Sequence, residues 1–181
     1  MAERPFRLGH LDGNQWVAYR HPETFELSGR LVAGVPGSDP RLFKAMLALL
    51  QGPVRLLYVL HTPRGEAAPG RYESPALSLE EATHFIERFA DFLAADGRFD
   101  LWAHSATDRA TVVWDRHDQL FCYGPVDRFA SRLRELGFSA GNVDIPAPHR
   151  HHYHKDMDTL AAGVMCAFEW HHSPLKPEDE Q

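Results

Sequence analysis

Histidines give this sequence its clearest chemical potential, because residues 149–154 read HRHHYH. The pairs His149/His151 and His152/His154 would each place two imidazoles on one side of an extended chain. Neutral imidazole is a common ligand for zinc, copper and nickel, so we take His149, His151 and His154 as candidate ligands of zinc or another transition metal. The chain has no HExxH motif and no Cys/His grouping with structural-zinc spacing. We therefore interpret the segment as a polar loop without a cofactor, with metal binding as the alternative.

A second candidate site lies in the connection formed by residues 61–76, HTPRGEAAPGRYESPA. Its prolines and glycines predict that it holds no regular element, and a connection of this length is often functional or mobile. Ligands of open α/β sheets favour the crevice beyond the carboxyl ends of strands, which makes His61, Arg64, Arg71 and Tyr72 candidate residues of a ligand site. The two arginines suit a carboxylate or a phosphate. The nucleotide motifs GxxxxGK(S/T) and GxGxxG are absent, so we interpret the connection as a mobile surface loop, with ligand binding as the alternative.

The third candidate is the turn Asp115-Arg116-His117-Asp118, together with His104 on the preceding strand. Two carboxylates and two histidines suit general acid/base chemistry or metal-dependent hydrolysis. Aspartate is also a preferred turn residue, because its carboxylate can bind local backbone N–H groups. We interpret this turn as ordinary hairpin chemistry and assign it to the scaffold.

Other kinds of chemistry find little support in the sequence. There is no GxSxG nucleophile elbow, and we expect both cysteines, Cys122 and Cys166, to be reduced and buried among apolar neighbours. A net charge of −6 gives no electrostatic footprint for nucleic acid or for an anionic membrane. No signal peptide and no membrane-spanning run is visible, so a cytoplasmic location is expected.

The elements that position these residues follow from periodicity and capping signals. Residues 111–115 and 120–123 are expected to pair as a hairpin, followed by a helix that begins at Pro125 and ends at Gly137. Residues 54–60, VRLLYVL, predict the central strand of the sheet, covered on both faces and with Leu57 buried. The remaining strands are expected at 16–19, 25–33, 100–105 and 142–145, and the remaining helices at 39–51, 78–96 and 156–170. For 156–170 a strand is the alternative.

This order of elements predicts an α+β (mixed α/β) fold with a largely antiparallel sheet of about six strands and three to four helices packed on it. Three adjacent strands between residues 100 and 123 argue against a doubly wound parallel architecture. We expect residues 1–181 to form a single globular domain, in which residues 173–181 are a solvated acidic tail.

Two classes of function fit these expectations. The first is a non-catalytic binding or regulatory module that engages a protein or a small-molecule partner, and not nucleic acid or a membrane. The alternative is a small metal-dependent hydrolase that uses the histidines of residues 149–154. The sequence leaves the oligomeric state open, with an exposed hairpin edge or the tryptophan-rich strands able to support a homodimer.

Overall fold

The computed structural model describes residues 5–179. Its helices are α1 Pro40–Leu47, α2 Leu79–Arg88, α3 Ala90–Ala95, α4 Val126–Glu135 and α5 Asp158–Met165. Its strands are β1 Leu8–Asp12, β2 Gln15–Ala18, β3 Thr24–Ser28, β4 Arg30–Gly34, β5 Arg55–Leu60, β6 Gly70–Glu73, β7 Phe99–Ser105, β8 Ala110–Trp114, β9 Gln119–Tyr123, β10 Ser139–Ala140, β11 His149–His151 and β12 His171–Ser173. Short 3-10 turns lie at Pro36–Ser38, Lys155–Met157 and Pro177–Asp179.

The strands form two sheets. The main sheet has nine strands in the order β10-β3-β4-β9-β8-β7-β5-β6-β12, and only its β10–β3 pair is parallel within the described chain. The second sheet has three antiparallel strands in the order β11-β1-β2. The predicted α+β class with a largely antiparallel sheet is confirmed, with more strands than expected. Within residues 5–179, no helix combines the length and the apolar character needed to cross a membrane.

Helix boundaries follow the capping signals in the sequence. The side chain of Asp39 accepts a hydrogen bond from the backbone of Arg41 at the start of α1. Ser78 and Glu81 form the expected capping box at the start of α2. Helix α4 ends at Glu135, as expected from Gly137 just beyond it, whose φ of 92° is a left-handed conformation that favours glycine. These caps are local in sequence, which is why they were predictable.

Buried apolar residues of the five described helices form one core with the residues on one face of the main sheet. In β7, buried side chains alternate with more exposed ones, as expected when only one face of a strand is covered. The prediction that β5 is covered on both faces is wrong at Leu57, which is only half-buried, whereas Leu56 and Tyr58 are fully buried against the helices. β5 is an interior strand, but β8 lies at the middle of the nine.

The predicted single strand over residues 25–33 is a hairpin that reverses at Gly29. Leu27 pairs with Leu31, and Phe25 pairs with Ala33. Directly opposed residues of an antiparallel pair share one face of the sheet, so folding about Gly29 preserves the alternation of period two. The pattern of alternation is therefore the same for one long strand and for the hairpin.

Several expectations for the C-terminal third need correction. Residues 156–170 do contain a helix, but it is limited to Asp158–Met165, and residues 142–145 form no strand. Cys122 is buried, as predicted, and burial raises the pKa of its thiol, whereas Cys166 is exposed. Residues 173–179 are not a purely solvated tail, because Ser173 pairs in the main sheet and Asp179 is buried in an ion pair. The last two residues of that predicted tail lie outside the described part of the chain.

Candidate metal centre and cleft

His117 is held by the turn between β8 and β9. The Asp115 carboxylate accepts hydrogen bonds from the backbone N–H groups of His117 and Gln119, at 3.0 and 2.8 Å, and so closes the turn. The ring of His21 adds a hydrogen bond from its Nε2 to the His117 carbonyl at 2.9 Å. The turn is thus fixed both from within and from a neighbouring segment.

Buried Arg7 supports the same turn from below. Its guanidinium donates to the carbonyl of Asp115 at 3.1 Å and lies 3.4 Å from the carboxylate of Asp118, with both side chains almost fully buried. The Asp118 carboxylate also accepts from Ser38 Oγ at 2.5 Å and from Trp114 Nε1 at 3.0 Å. Burial raises the pKa of Asp118, while the charge of Arg7 and these two hydrogen bonds oppose that rise. This network ties the position of the turn to the protein interior.

Strand β11 supplies two further histidines. It pairs with β1 in a register that sets His149 opposite His10 and His151 opposite Leu8. Residues i and i+2 of a strand lie on the same face, so His149 and His151 point to one side. Arg150 points to the other side and stacks over the ring of Trp16, 4.7 Å from its centre.

These two elements bring His117, His149 and His151 together. One possible ligand atom from each lies within 4.8 Å of the others. The ring centres are 5.2 Å apart for His117 and His149, 4.9 Å for His117 and His151, and 5.5 Å for His149 and His151. Ligand nitrogens of a tetrahedral zinc site are separated by about 3.3 Å when each metal–nitrogen bond is about 2.0–2.1 Å. The three imidazoles are therefore near enough to one another to be candidate ligands of one ion.

Two of the three rings have a proton position that suits metal binding. Nδ1 of His117 donates to the Asp115 carboxylate at 2.9 Å, and Nδ1 of His149 donates to the carbonyl of Pro146 at 3.0 Å. In its neutral form, each of these rings therefore carries its lone pair on Nε2. Metal-binding histidines usually show this pattern, in which the second ring nitrogen donates to a carboxylate or a backbone carbonyl.

His151 is the most enclosed member of the cluster. Its Nδ1 is buried and has no hydrogen-bond partner in the described chain. Burial, and then the charges of His117 and Arg116, lower the pKa of His151 to about 3. The ring is therefore neutral at physiological pH and keeps a lone pair.

A cleft of about 450 Å³ adjoins this cluster on the face of the main sheet opposite the helices. Its lining includes the apolar residues Trp102, Val113, Phe121 and Ile145, and His117 belongs both to the cleft and to the cluster. The volume lies within the range of small-molecule sites, about 300–1,000 Å³.

The carboxylates of the cleft nearest to His117 are already engaged. Asp100 accepts from the backbone N–H of Arg116 at 2.7 Å and contacts His61 Nε2 at 2.8 Å. Asp115 is committed to its own turn. Neither carboxylate is therefore placed as a free general base.

The predicted metal ligands are only partly brought together. The structure gathers His149 and His151 but not His154, whose Nε2 donates to the carbonyl of Phe6 at 2.9 Å. The backbone N–H of His154 also binds the Asp96 carboxylate, which forms a buried ion pair with Arg98. His154 therefore belongs to a structural network.

Each of the four residues predicted to bind a ligand near residues 61–76 already has a partner within the protein. His61 pairs with Asp100, and Arg64 lies 3.0 Å from the Asp158 carboxylate. The other two residues of this predicted site, Arg71 and Tyr72, lie in β6, although the segment was expected to hold no regular element. There Arg71 pairs with Asp179, and Tyr72 is buried with its hydroxyl bound to the carbonyl of Ala68.

The residues that sequence reasoning missed are His117 and Asp115, which were assigned to the scaffold. The signal in the sequence is the Asp-x-His spacing, which lets a turn carboxylate bind both the backbone and the ring two residues later. His104, considered with the same turn, lies apart from the cluster and bonds Thr111 at 2.9 Å.

No protein-family model, no curated protein and no solved structure matches this chain significantly, so its function must be argued from the site itself.

Proposed function

We propose that this protein is a metal-dependent hydrolase whose ion, zinc or a similar transition metal, is held by His117, His149 and His151. The observation that carries the proposal is the convergence of three histidines, two of which have Nδ1 fixed by an oxygen acceptor. Three protein ligands leave the fourth position of a tetrahedral ion open, as in catalytic zinc sites.

The chemistry follows from that open position and from the neighbouring cleft. A bound zinc ion lowers the pKa of its water to about 7, which supplies a hydroxide nucleophile without a carboxylate base. In the hydrolysis of an ester, the acyl carbon would gain the hydroxyl of one water, its bond to the alkoxy oxygen would break, and the leaving alcohol would take the remaining proton of that water. The protein's own part is to orient His117 through Asp115 and to hold the substrate in the cleft that His117 lines.

Metal content and zinc affinity test the first half of this proposal. Protein purified without a polyhistidine tag should contain close to one transition-metal ion per chain by mass spectrometry. His117→Ala and His149→Ala should each weaken zinc binding at least about 100-fold, the upper end for loss of an outer-sphere partner. His84→Ala is the matched control, because His84 is exposed on α2. A metal content well below one per chain, or equal zinc affinity in all variants, would end the proposal.

Turnover tests the second half. Hydrolysis of an activated ester such as 4-nitrophenyl acetate should require zinc and should saturate at one ion per chain. The reaction should be lost in His117→Ala and retained in His84→Ala. Zinc binding without any zinc-dependent turnover would remove the hydrolase assignment.

A non-catalytic binding protein is the second candidate function. It is favoured by the engaged state of Asp100 and Asp115, since no carboxylate beside His117 is free to move a proton. In this case the ion and the cleft would hold a small-molecule or protein partner without changing it. Homodimer formation and a cytoplasmic location stay predictions, and sedimentation velocity would test the first of them.

A further inference from the structure

The cleft has two ends that differ in chemistry. The pairing of β4 with β9 sets Arg30 beside Tyr123 at one end, and Gln119 and the turn that carries His117 lie at the other. Gln119 and Tyr123 are four residues apart on β9, which corresponds to about 13 Å along the strand. The cleft is therefore long enough for an extended small molecule that lies parallel to β9.

The floor of the cleft has apolar side chains on three neighbouring strands. Phe121 pairs directly with Val113, and Val113 pairs directly with Trp102, so the three side chains form one row across neighbouring strands. All three line the cleft, and Phe121 and Trp102 are only partly buried. Aromatic rings on a sheet face offer a surface for an apolar ligand body.

Arg30 provides the charge at one end. It is exposed, donates to the Tyr123 hydroxyl at 3.2 Å and lies over the Phe121 ring at 4.9 Å from its centre. Among the described residues it forms no ion pair, unlike Arg71 on the far side of the cleft, which pairs with Asp179. An exposed Glu178 also lines the cleft. The cation at the Arg30 end is thus available to an anionic group.

We propose that this cleft binds a small monocarboxylate with an apolar body. The carboxylate lies against the Arg30 guanidinium and the Tyr123 hydroxyl, and the body runs along β9 over Phe121, with Val113 and Trp102 on the neighbouring strands beside it. A planar guanidinium binds a carboxylate through two parallel hydrogen bonds, and a neighbouring hydroxyl adds a third donor. One consequence rests on the proposed function: a substrate would carry its hydrolysed bond at the His117 end and its carboxylate at the opposite end.

Three matched probes test the ligand class on protein stripped of metal. These are 4-phenylbutyrate, 4-phenylbutanol and 4-phenylbutylamine, which share an apolar body and differ in the charge of one end. Calorimetry should show that the carboxylate binds at least about 10-fold more tightly than the alcohol, the gain expected of a charged hydrogen bond. The amine should bind more weakly than the alcohol. In NMR spectra, the indole N–H signal of Trp102 should shift with the carboxylate probe.

Variants separate this proposal from the metal proposal. Arg30→Gln should remove the preference for the carboxylate, while Arg132→Gln, a change at a partly exposed arginine on α4, should not. His84→Ala, a change at an exposed histidine of α2 that does not line the cleft, should leave probe binding intact. Equal binding of the acid and the alcohol, or an unchanged preference in Arg30→Gln, would overturn the ligand class. If zinc binds normally but the carboxylate probe is not preferred, the ligand proposal is wrong and the metal proposal is retained. If the carboxylate probe is preferred but zinc does not bind, the metal proposal is wrong and the ligand proposal is retained.

Discussion

Asp115→Asn tests whether a carboxylate orients His117 for metal binding. In the native protein, the carboxylate accepts Nδ1–H of His117 at 2.9 Å, which leaves the lone pair on Nε2. Asparagine is nearly isosteric, and its carbonyl oxygen can still accept the backbone N–H groups of His117 and Gln119. Its NH₂ group then faces Nδ1 and favours the tautomer with the proton on Nε2. That tautomer has no lone pair where the metal would bind.

The expected loss is about 10- to 100-fold in zinc affinity, which corresponds to about 1.4–2.7 kcal/mol. Competition against a chromophoric chelator would measure this loss in tag-free protein. Thermal unfolding followed by circular dichroism would check that the turn and the fold persist. Asp127→Asn on α4 is the matched control, since it removes the same charge from an exposed position. A folded Asp115→Asn protein with unchanged zinc affinity would refute the orienting role of this carboxylate.

Three further predictions concern stability. Arg7→Met leaves the Asp118 carboxylate buried without its ion partner, so it should lower the free energy of unfolding, measured by chemical denaturation, by about 3–5 kcal/mol. Adding Asp118→Asn should restore part of this loss. A small loss for Arg7→Met alone would contradict the network. Burial raises the pKa of Asp158, but hydrogen bonds from two arginines bring it below its ordinary value of 3.8. The ion pairs of Asp158 with these arginines therefore stabilise the fold above that pH, and their contribution is lost as the pH falls further. Asp158→Asn should flatten the acid limb of a profile of unfolding free energy against pH. An unchanged acid limb would count against this role of Asp158. Leu56→Ala should cost about 2–5 kcal/mol, and Leu57→Ala clearly less, because only Leu56 is fully buried; equal costs would contradict the assignment of faces.

Local signals in the sequence predicted much of the fold. The capping box of Ser78 and Glu81 and the glycine at 137 act within a few residues, so their structures could be read directly. The hairpin at Gly29 could not be predicted, because its register preserves the same alternation of apolar and polar residues as one continuous strand. The N-terminal strand β1 was missed because it is stabilised by pairing with β11, which lies about 140 residues later in the chain.

In the candidate site, too, features set by the local sequence were predictable and features set by tertiary contacts were not. His149 and His151 were predictable as a pair, because the period of a strand sets them on one side. Their convergence with His117 depends on the pairing of β1 with β11 and on the position of the β8–β9 turn, both of which are tertiary. From the sequence, Asp115-x-His117 could be interpreted only as a turn, because His149 and His151 lie more than 30 residues further along the chain.

Anomalous diffraction at the zinc absorption edge, from crystals grown with one equivalent of zinc, tests the central claim most directly. The account predicts one peak about 2.0–2.1 Å from a ring nitrogen of each of His117, His149 and His151. Zinc found only at other histidines, such as the exposed His171 and His172, or no ordered zinc at all, would contradict it.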